Sequence, residues 1–407
     1  MRVLLINKSH KIIGGADTVY FNTADLLREE GHSVAFFSVR DIDNLYTEFS
    51  TYFPSKIELD VTGVFNKIRF VKNYLYNKEA ADKLRELLVD FEPDIIHIHL
   101  FYGVLSSSIL DVIKASKVPC VMTVHDYKLI CPVSTMLDSS GSVCHRCFNG
   151  NYTYCTINKC YSRSFPESII LMVEAFYRGT FKNPLNYIDH FIFVSEFSRN
   201  LHINWKSEMC SKSSRIYNFV NEPIFSREGS EESDLFLYFG RLSREKGLIN
   251  LIRVFKKSNR NLKIVGSGPL QSVLKDLVSQ CSNIELIPHV GQKEIEYLIV
   301  KAKFVVIPSE WYENNPMSVL ESFSLGVPVI GSRIGGIPEL IVEGYNGFLF
   351  EPGSSSDLNK VIEKALAISK DDYDAMSSNA KSTYYLKFNR DIHLKDLLGV
   401  YNNLVNI

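Results

Sequence analysis

No stretch of this 407-residue chain approaches the roughly 18 uncharged apolar residues that a membrane-spanning helix needs. Charge of one sign is not in surplus either. Lys and Arg total 45 against 46 Asp and Glu, a net charge of −1, which argues against nucleic-acid binding through an extended basic surface. No basic leader with a long apolar core and cleavage site precedes the first apolar segment, so the cytoplasm is the expected compartment. The full Gly-x-Gly-x-x-Gly pattern is missing after that segment, and a dinucleotide site is therefore not supported. Cysteine is sparse at eight residues, yet five of them fall between positions 131 and 160. What remains is an ordinary globular composition, 45% hydrophobic and 22% charged, in a chain longer than one core usually supports. Two domains are expected.

Both halves alternate short apolar runs with glycine turns and helical patterns, the grammar of parallel α/β sheets. Val3–Asn7 reads as a strand, Gly14-Gly15 as a loop, and Ala16–Glu30 as a helix closed by Gly31 before the strand at Val34–Phe37. Backbone amides at that helix start, Gly15 among them, would suit an anion. Val61, Val64, Phe65, Ile68, Val71 and Leu75 recur at helical spacing among Lys67, Arg69, Lys72 and Lys78, a core-packed helix or, alternatively, a surface for membrane contact. Two strands end in histidine: Asp94–Leu100 carries His97 and His99, and Cys120–Asp126 carries His125. Strand ends are where an open α/β sheet places its ligands. A helix over 166–182 and a last strand at Phe191–Ser195 would complete this half.

In the second half Phe304–Ile307 is continuous enough to be a buried parallel strand, and Pro308 should end it. Asn315 would cap the next helix with Pro316 at its first position, leaving Glu313 in the loop and Glu321 two turns into the helix. A carboxylate within Met317–Phe323 is costly to bury unless something hydrogen-bonds it, and ligand hydroxyls would serve. The cysteines form two spaced pairs, Cys144-x2-Cys147 and Cys155-x4-Cys160. A tetrahedral thiolate site holding structural zinc could fold this polar loop; an iron–sulfur cluster and free thiols are the other readings.

The block from Glu313 through Glu321, Gly326-Val327-Pro328-Val329-Ile330 and Gly335-Gly336-Ile337-Pro338-Glu339 resembles the C-terminal domain of glycosyltransferase family 4, retaining enzymes of the GT-B fold. Gly240-Arg241-Leu242 with Lys246-Gly247, and Val265-Gly266-Ser267-Gly268-Pro269, resemble the same family's diphosphate grip and nucleotide turn. The resemblance implies an α/β fold of two Rossmann-like domains facing across a cleft: 1–220 with a cysteine-rich insertion at about 127–165, 221–383, and a helix over 384–407 crossing back to the first. It implies a retaining hexosyltransferase that moves a sugar from a UDP- or GDP-type donor to a glycan or lipid-linked glycan in polysaccharide or glycolipid assembly. Contact with the inner membrane face, no nucleic acid and no catalytic metal go with it. His125, Glu313, Arg241 and Lys246 would be catalytic. Gly15, Gly266, Gly268, His289, Asn315, Pro316, Met317, Ser318 and Glu321 would bind the donor. Asp41-Ile42-Asp43 has the form of a metal-binding DxD but lies outside the matching block. A sugar-nucleotide epimerase of similar fold and a noncatalytic module using the cysteine loop are the alternatives.

Overall fold

The computed structural model describes residues 1–57, 64–227 and 234–405. The side chains of Val61, Val64, Phe65, Lys67 and Ile68, on which the reading of an amphipathic face rested, lie outside the described residues. The chain forms two compact units, Met1–Ile216 with Leu394–Ile407, and Tyr217–His393. No helix among the described residues is long and apolar enough to cross a membrane.

The first unit is built on six strands: β1 (Arg2–Asn7), β2 (Ser33–Phe37), β3 (Ile95–Leu100), β4 (Cys120–Val124), β5 (His190–Phe193) and β6 (Ser213–Arg215). They lie in the order β2-β1-β3-β4-β5-β6, every neighbouring pair parallel. β3 and β4 are buried along their whole length, because helices cover both faces of such a sheet, and this is why they read as unbroken apolar runs. β6 was not expected. Ser-Ser-Arg carries no apolar signal and needs none, since it only edges the sheet beside β5.

The second unit repeats the plan with β7 (Phe236–Phe239), β8 (Leu262–Val265), β9 (Ile284–Ile287), β10 (Phe304–Ile307), β11 (Val329–Ser332) and β12 (Gly347–Phe350). Their order is β12-β11-β10-β7-β8-β9. The chain runs outward from β7 to β9, then returns to pair β10 against the other side of β7, with Phe304 beside Phe236. This reversal leaves a crevice beyond the carboxyl ends of β7 and β10, the position where doubly wound sheets bind ligands.

The C-terminal segment is two helices rather than one. Lys370–Lys387 stops at Phe388, fully buried in the second unit's core. The Asn389 side chain then accepts the Ile392 amide at 2.9 Å, and Arg390–Val405 starts afresh. Within the first unit, the Tyr401 hydroxyl meets His97 Nδ1 at 2.6 Å.

Candidate functional site

Two loops meet at the crevice of the second unit. The loop after β7 runs from Gly240 to Gly247 and makes one tight turn over Arg244–Lys246. The loop after β10 carries Ser309, Trp311 and Glu313. Lys246 Nζ sits 2.6 Å from Glu313 Oε1, and the Ser309 hydroxyl donates to the same oxygen at 2.6 Å. The ammonium also lies 5.2 Å from the centre of the Trp311 ring. Glu313 is only 6% exposed. Burial alone would raise its pKa, but the Lys246 charge and these hydrogen bonds hold it below the usual carboxylate value.

The backbone behind Glu313 is held equally closely. Gly336 N–H donates to the Glu313 carbonyl at 2.7 Å, and Gly335 adopts φ +62°, where a Cβ would come within 2.4 Å of that carbonyl oxygen. The paired glycines therefore let the loop after β11 press against the loop after β10. Gly266 does the same between β8 and β7: its Cβ would lie 1.9 Å from the Gly240 carbonyl. Gly268 follows in the same turn, where the Leu242 amide donates to the Ser267 carbonyl at 2.8 Å. Arg241 is exposed at the rim, its carbonyl pinned by the Tyr238 hydroxyl at 2.8 Å. Among the described residues its guanidinium has no side-chain partner. His289 is exposed in the loop after β9.

The helix after Glu313 starts later than the sequence suggested. It spans Met317–Ser324, with Pro316 rather than Asn315 at the cap position. Asn315 is buried and its side-chain oxygen accepts the Asn218 amide at 2.9 Å, so it ties the start of this unit to the loop instead of capping. Ser318 and Glu321 are half-buried one above the other on the helix, Glu321 little more than one turn in. Its carboxyl makes no hydrogen bond or ion pair with any described residue. Burial, and then the neighbouring Glu296 carboxylate, push it up to about 7.

In the first unit the Gly14-Gly15 loop opens the helix Gly15–Glu29, but Asp17 folds back on it. One Asp17 oxygen takes the amides of Ile13 and Gly14 at 3.1 and 3.2 Å, so part of the anion-binding potential expected there is met internally. His99 and His125, at the ends of β3 and β4, approach to 2.9 Å between Nδ1 and Nε2 with their rings stacked. His97 is a core residue, bonded to Tyr401 and, at 2.7 Å, to the Thr123 hydroxyl. Asp41 and Asp43 are bound by lysines: Lys11 reaches both, at 3.1 and 3.0 Å, and Lys56 reaches Asp41 at 2.6 Å. That network accounts for the DxD-like pair without a metal ligand role.

Residues 13–222 match the model for Glycosyltransferase Family 4, and residues 220–383 match the model for Glycosyl transferases group 1. The chain belongs to glycosyltransferase family 4. It is similar to an uncharacterized glycosyltransferase of Methanocaldococcus jannaschii, 32% identical over 198 residues, 48% of this chain and 55% of that one. The alignment thus spans about half of that relative's length. A 42.6 kDa protein encoded in the cps region of Klebsiella pneumoniae is 24% identical over 84% of this chain and 87% of its own. The solved structure of HepE from Anabaena in complex with UDP-glucose superposes with a TM-score of 0.68 at 18% identity, covering 99% and 100% of the two chains. That likeness, together with the two parallel sheets, assigns this glycosyltransferase the GT-B fold of two Rossmann-like domains.

Sequence reasoning missed an ion cluster in the first unit of the glycosyltransferase. Glu174 lies on the helix Phe165–Phe181 and pairs with Arg178 at 2.8 Å and Lys128 at 3.2 Å. All three are nearly fully buried. Arg178 also donates to the Lys128 carbonyl at 2.8 Å, and Lys128 Nζ donates to the Pro132 carbonyl. Only the i, i+4 spacing of Glu174 and Arg178 could have signalled it. The cluster anchors the entrance of the cysteine-rich segment. Beyond it, all five cysteines and His145 line one cavity of ≈ 10 Å³; Cys131 was absent from the expected set. No three His, Cys, Asp or Glu side chains among the described residues already stand in a metal-holding arrangement.

Proposed function

We propose that this glycosyltransferase moves a hexose from a nucleotide-diphosphate donor to an acceptor hydroxyl with retention of anomeric configuration. The Lys246–Glu313 pair at the crevice of the second sheet carries the reading. Departure of a nucleoside diphosphate develops negative charge on the phosphate oxygens, and stabilising that charge in a partly dry site is the main electrostatic demand of the reaction. Arg241, exposed and without a side-chain partner, and Lys246, with an amine that retains donors beyond its bond to Glu313, supply that charge. The ionised Glu313 accepts hydrogen bonds from sugar hydroxyls and positions the donor. Glu321 accepts from the ribose hydroxyls, which would satisfy a half-buried carboxyl that otherwise makes no hydrogen bond or ion pair with any described residue. The glycine turn of Gly266 and Gly268, the loop of His289 and the helix start at Asn315, Pro316, Met317 and Ser318 line the rest of the donor site.

No protein nucleophile is assigned. The departing phosphate takes the acceptor proton as the new bond forms on the same face, and His125 keeps the role beside the sugar that the family resemblance implies. The proposal calls on no metal, since two cations already serve the leaving group. UDP is favoured as the donor nucleotide by the UDP-glucose complex of HepE. A glycan or lipid-linked glycan acceptor in polysaccharide assembly is favoured by the cps-region relative of Klebsiella pneumoniae. The experiment is nucleotide release from a panel of UDP-, GDP- and ADP-sugars, with and without mixed acceptors, for wild type, Lys246→Ala and Glu313→Gln. Acceptor-dependent release from one donor, lost in both variants, is expected. Release that needs no acceptor, or an epimerised donor, would replace transfer with the epimerase reading.

A further inference from the structure

We infer that the outward face of the helix Phe165–Phe181, with the short helix Thr153–Ile157 beside it, docks on the surface of an anionic lipid bilayer. The long helix is amphipathic in the reverse of the usual sense. Its buried residues are Ser168, Leu171, Glu174, Ala175 and Arg178, and Glu174 and Arg178 are engaged in the ion cluster with Lys128. Phe165, Ile169, Met172, Val173, Phe176 and Thr180 follow the three- and four-residue spacing of the opposite face, and each is exposed or half-buried. A helix that packs on a core normally turns its apolar stripe inward and its charges to water. Here the charges face inward and the apolar stripe is left outside.

The short helix extends that face. The Thr156 hydroxyl lies 3.4 Å from the Ser168 carbonyl and 3.3 Å from Met172 Sδ, and the Tyr161 amide donates to the Ser168 hydroxyl at 3.2 Å. The Tyr152 ring meets Phe176 edge-on, with 5.2 Å between centroids. These contacts hold Tyr154, Ile157 and Tyr161 alongside the long helix, with Ile157 68% exposed and Phe181, at its far end, 70% exposed. Exposed apolar surface gathered in one place marks an interaction site. Charge identifies the occupant. From Ser139 to Pro166 the chain contains no Asp or Glu, while Arg146, Lys159 and Arg163 are all exposed. Arg146 donates to the Asn158 side chain at 3.2 Å, at the end of the short helix, so the cations border the apolar face. Apolar and tyrosine side chains edged by arginine and lysine match the boundary between acyl chains and anionic headgroups, and each cation near such a surface adds attraction. A helix presents a convex surface, which fluid acyl chains accommodate without a matching groove. Docking of this kind is independent of the transfer reaction; combined with it, the first unit meets a lipid-linked acceptor at the surface where that acceptor resides.

The test is co-sedimentation of the full-length protein with vesicles of phosphatidylcholine alone or mixed with phosphatidylglycerol. Nucleotide and acceptor are left out, so the outcome is separate from that of the transfer assay. Binding to the mixed vesicles is expected, weakened by salt and at least about tenfold weaker to phosphatidylcholine alone. Arg146→Gln/Lys159→Gln/Arg163→Gln should weaken it about 10–100-fold. Ile157→Ser/Phe165→Ser/Phe181→Ser should abolish it, with melting temperature and nucleotide binding near those of wild type. Ile157→Trp supplies a positive readout, an added emission that shifts to the blue on mixed vesicles. No sedimentation with mixed vesicles, or binding that survives both triple variants, overturns the proposal. Equal binding to the two kinds of vesicle overturns the anionic requirement. A concentration-dependent dimer that the Ile157→Ser/Phe165→Ser/Phe181→Ser variant cannot form, with no vesicle binding by wild type, assigns the face to a second copy of the chain instead.

Discussion

Replacing Lys246 with alanine separates what the Lys246–Glu313 pair does for the fold from what it does for the reaction. The change removes an ammonium 2.6 Å from Glu313 Oε1 and leaves a carboxylate that is 6% exposed with the Ser309 hydroxyl. Losing a charge-assisted bond to a buried group costs about 1.5–3 kcal/mol. The low end applies here, because the Lys246 side chain is itself 21% exposed and water can enter. The folded pKa of Glu313 is depressed, so the stabilisation is present above the unfolded carboxylate value near ~4.3 and is lost as pH falls through the folded value. Melting curves of wild type and variant should therefore differ most at neutral pH and converge in acid. Turnover should fall about 10²–10³-fold through lost stabilisation of the leaving group. In Lys246→Met/Glu313→Gln the buried charge is gone, so stability should recover while turnover does not. A Lys246→Ala enzyme that turns over within a few-fold of wild type at saturating donor would refute the assignment of Lys246 to the diphosphate.

Glu321, with a pKa near 7, should make donor affinity rise as pH increases through that value, since only the carboxylate accepts two ribose hydroxyls; Glu321→Gln should flatten that profile in nucleotide titrations. Its raised pKa also means that the stability of the neutral form is present below about 4.3 and lost as pH rises to about 7, so Glu321→Gln should melt higher than wild type at pH 8 and equally at pH 4. Gly335→Ala places a Cβ 2.4 Å from the Glu313 carbonyl at a positive φ and should destabilise the second unit by roughly 1–3 kcal/mol while weakening donor binding, read by calorimetry. Glu174→Gln leaves Arg178 and Lys128 buried without their counter-charge and should cost about 3–5 kcal/mol, seen as early proteolysis around 127–165 with nucleotide binding by the second unit unchanged.

The site in the second unit was legible because the backbone demands of the crevice are written in residue types. A loop that must touch another loop's carbonyl needs glycine, and Gly266 and Gly335 stand where the structure brings backbones together. A strand covered on both faces must be apolar throughout, and Phe304–Ile307 is. Asn315 was misplaced because capping is a local rule, whereas its actual partner, the Asn218 amide, is 97 positions away. β6 escaped notice because an edge strand of Ser-Ser-Arg carries no periodic signal. His97 and His99 look equivalent in sequence, two residues apart on one strand. Only the packing of Tyr401 against His97, 304 positions distant, makes one a core residue and leaves the other beside His125.

The order of short apolar runs and glycine turns, with the cations after β7 and the glutamates after β10, was enough by itself to identify the family and the fold, because both follow from local backbone and charge requirements. Tertiary structure alone decided which groups actually meet: that Lys246 neutralises Glu313, that Asp41 and Asp43 are taken by lysines, and that Cys131 joins the cysteine cavity. Each is a contact between segments far apart in the chain, and sequence spacing carries no information about such distances.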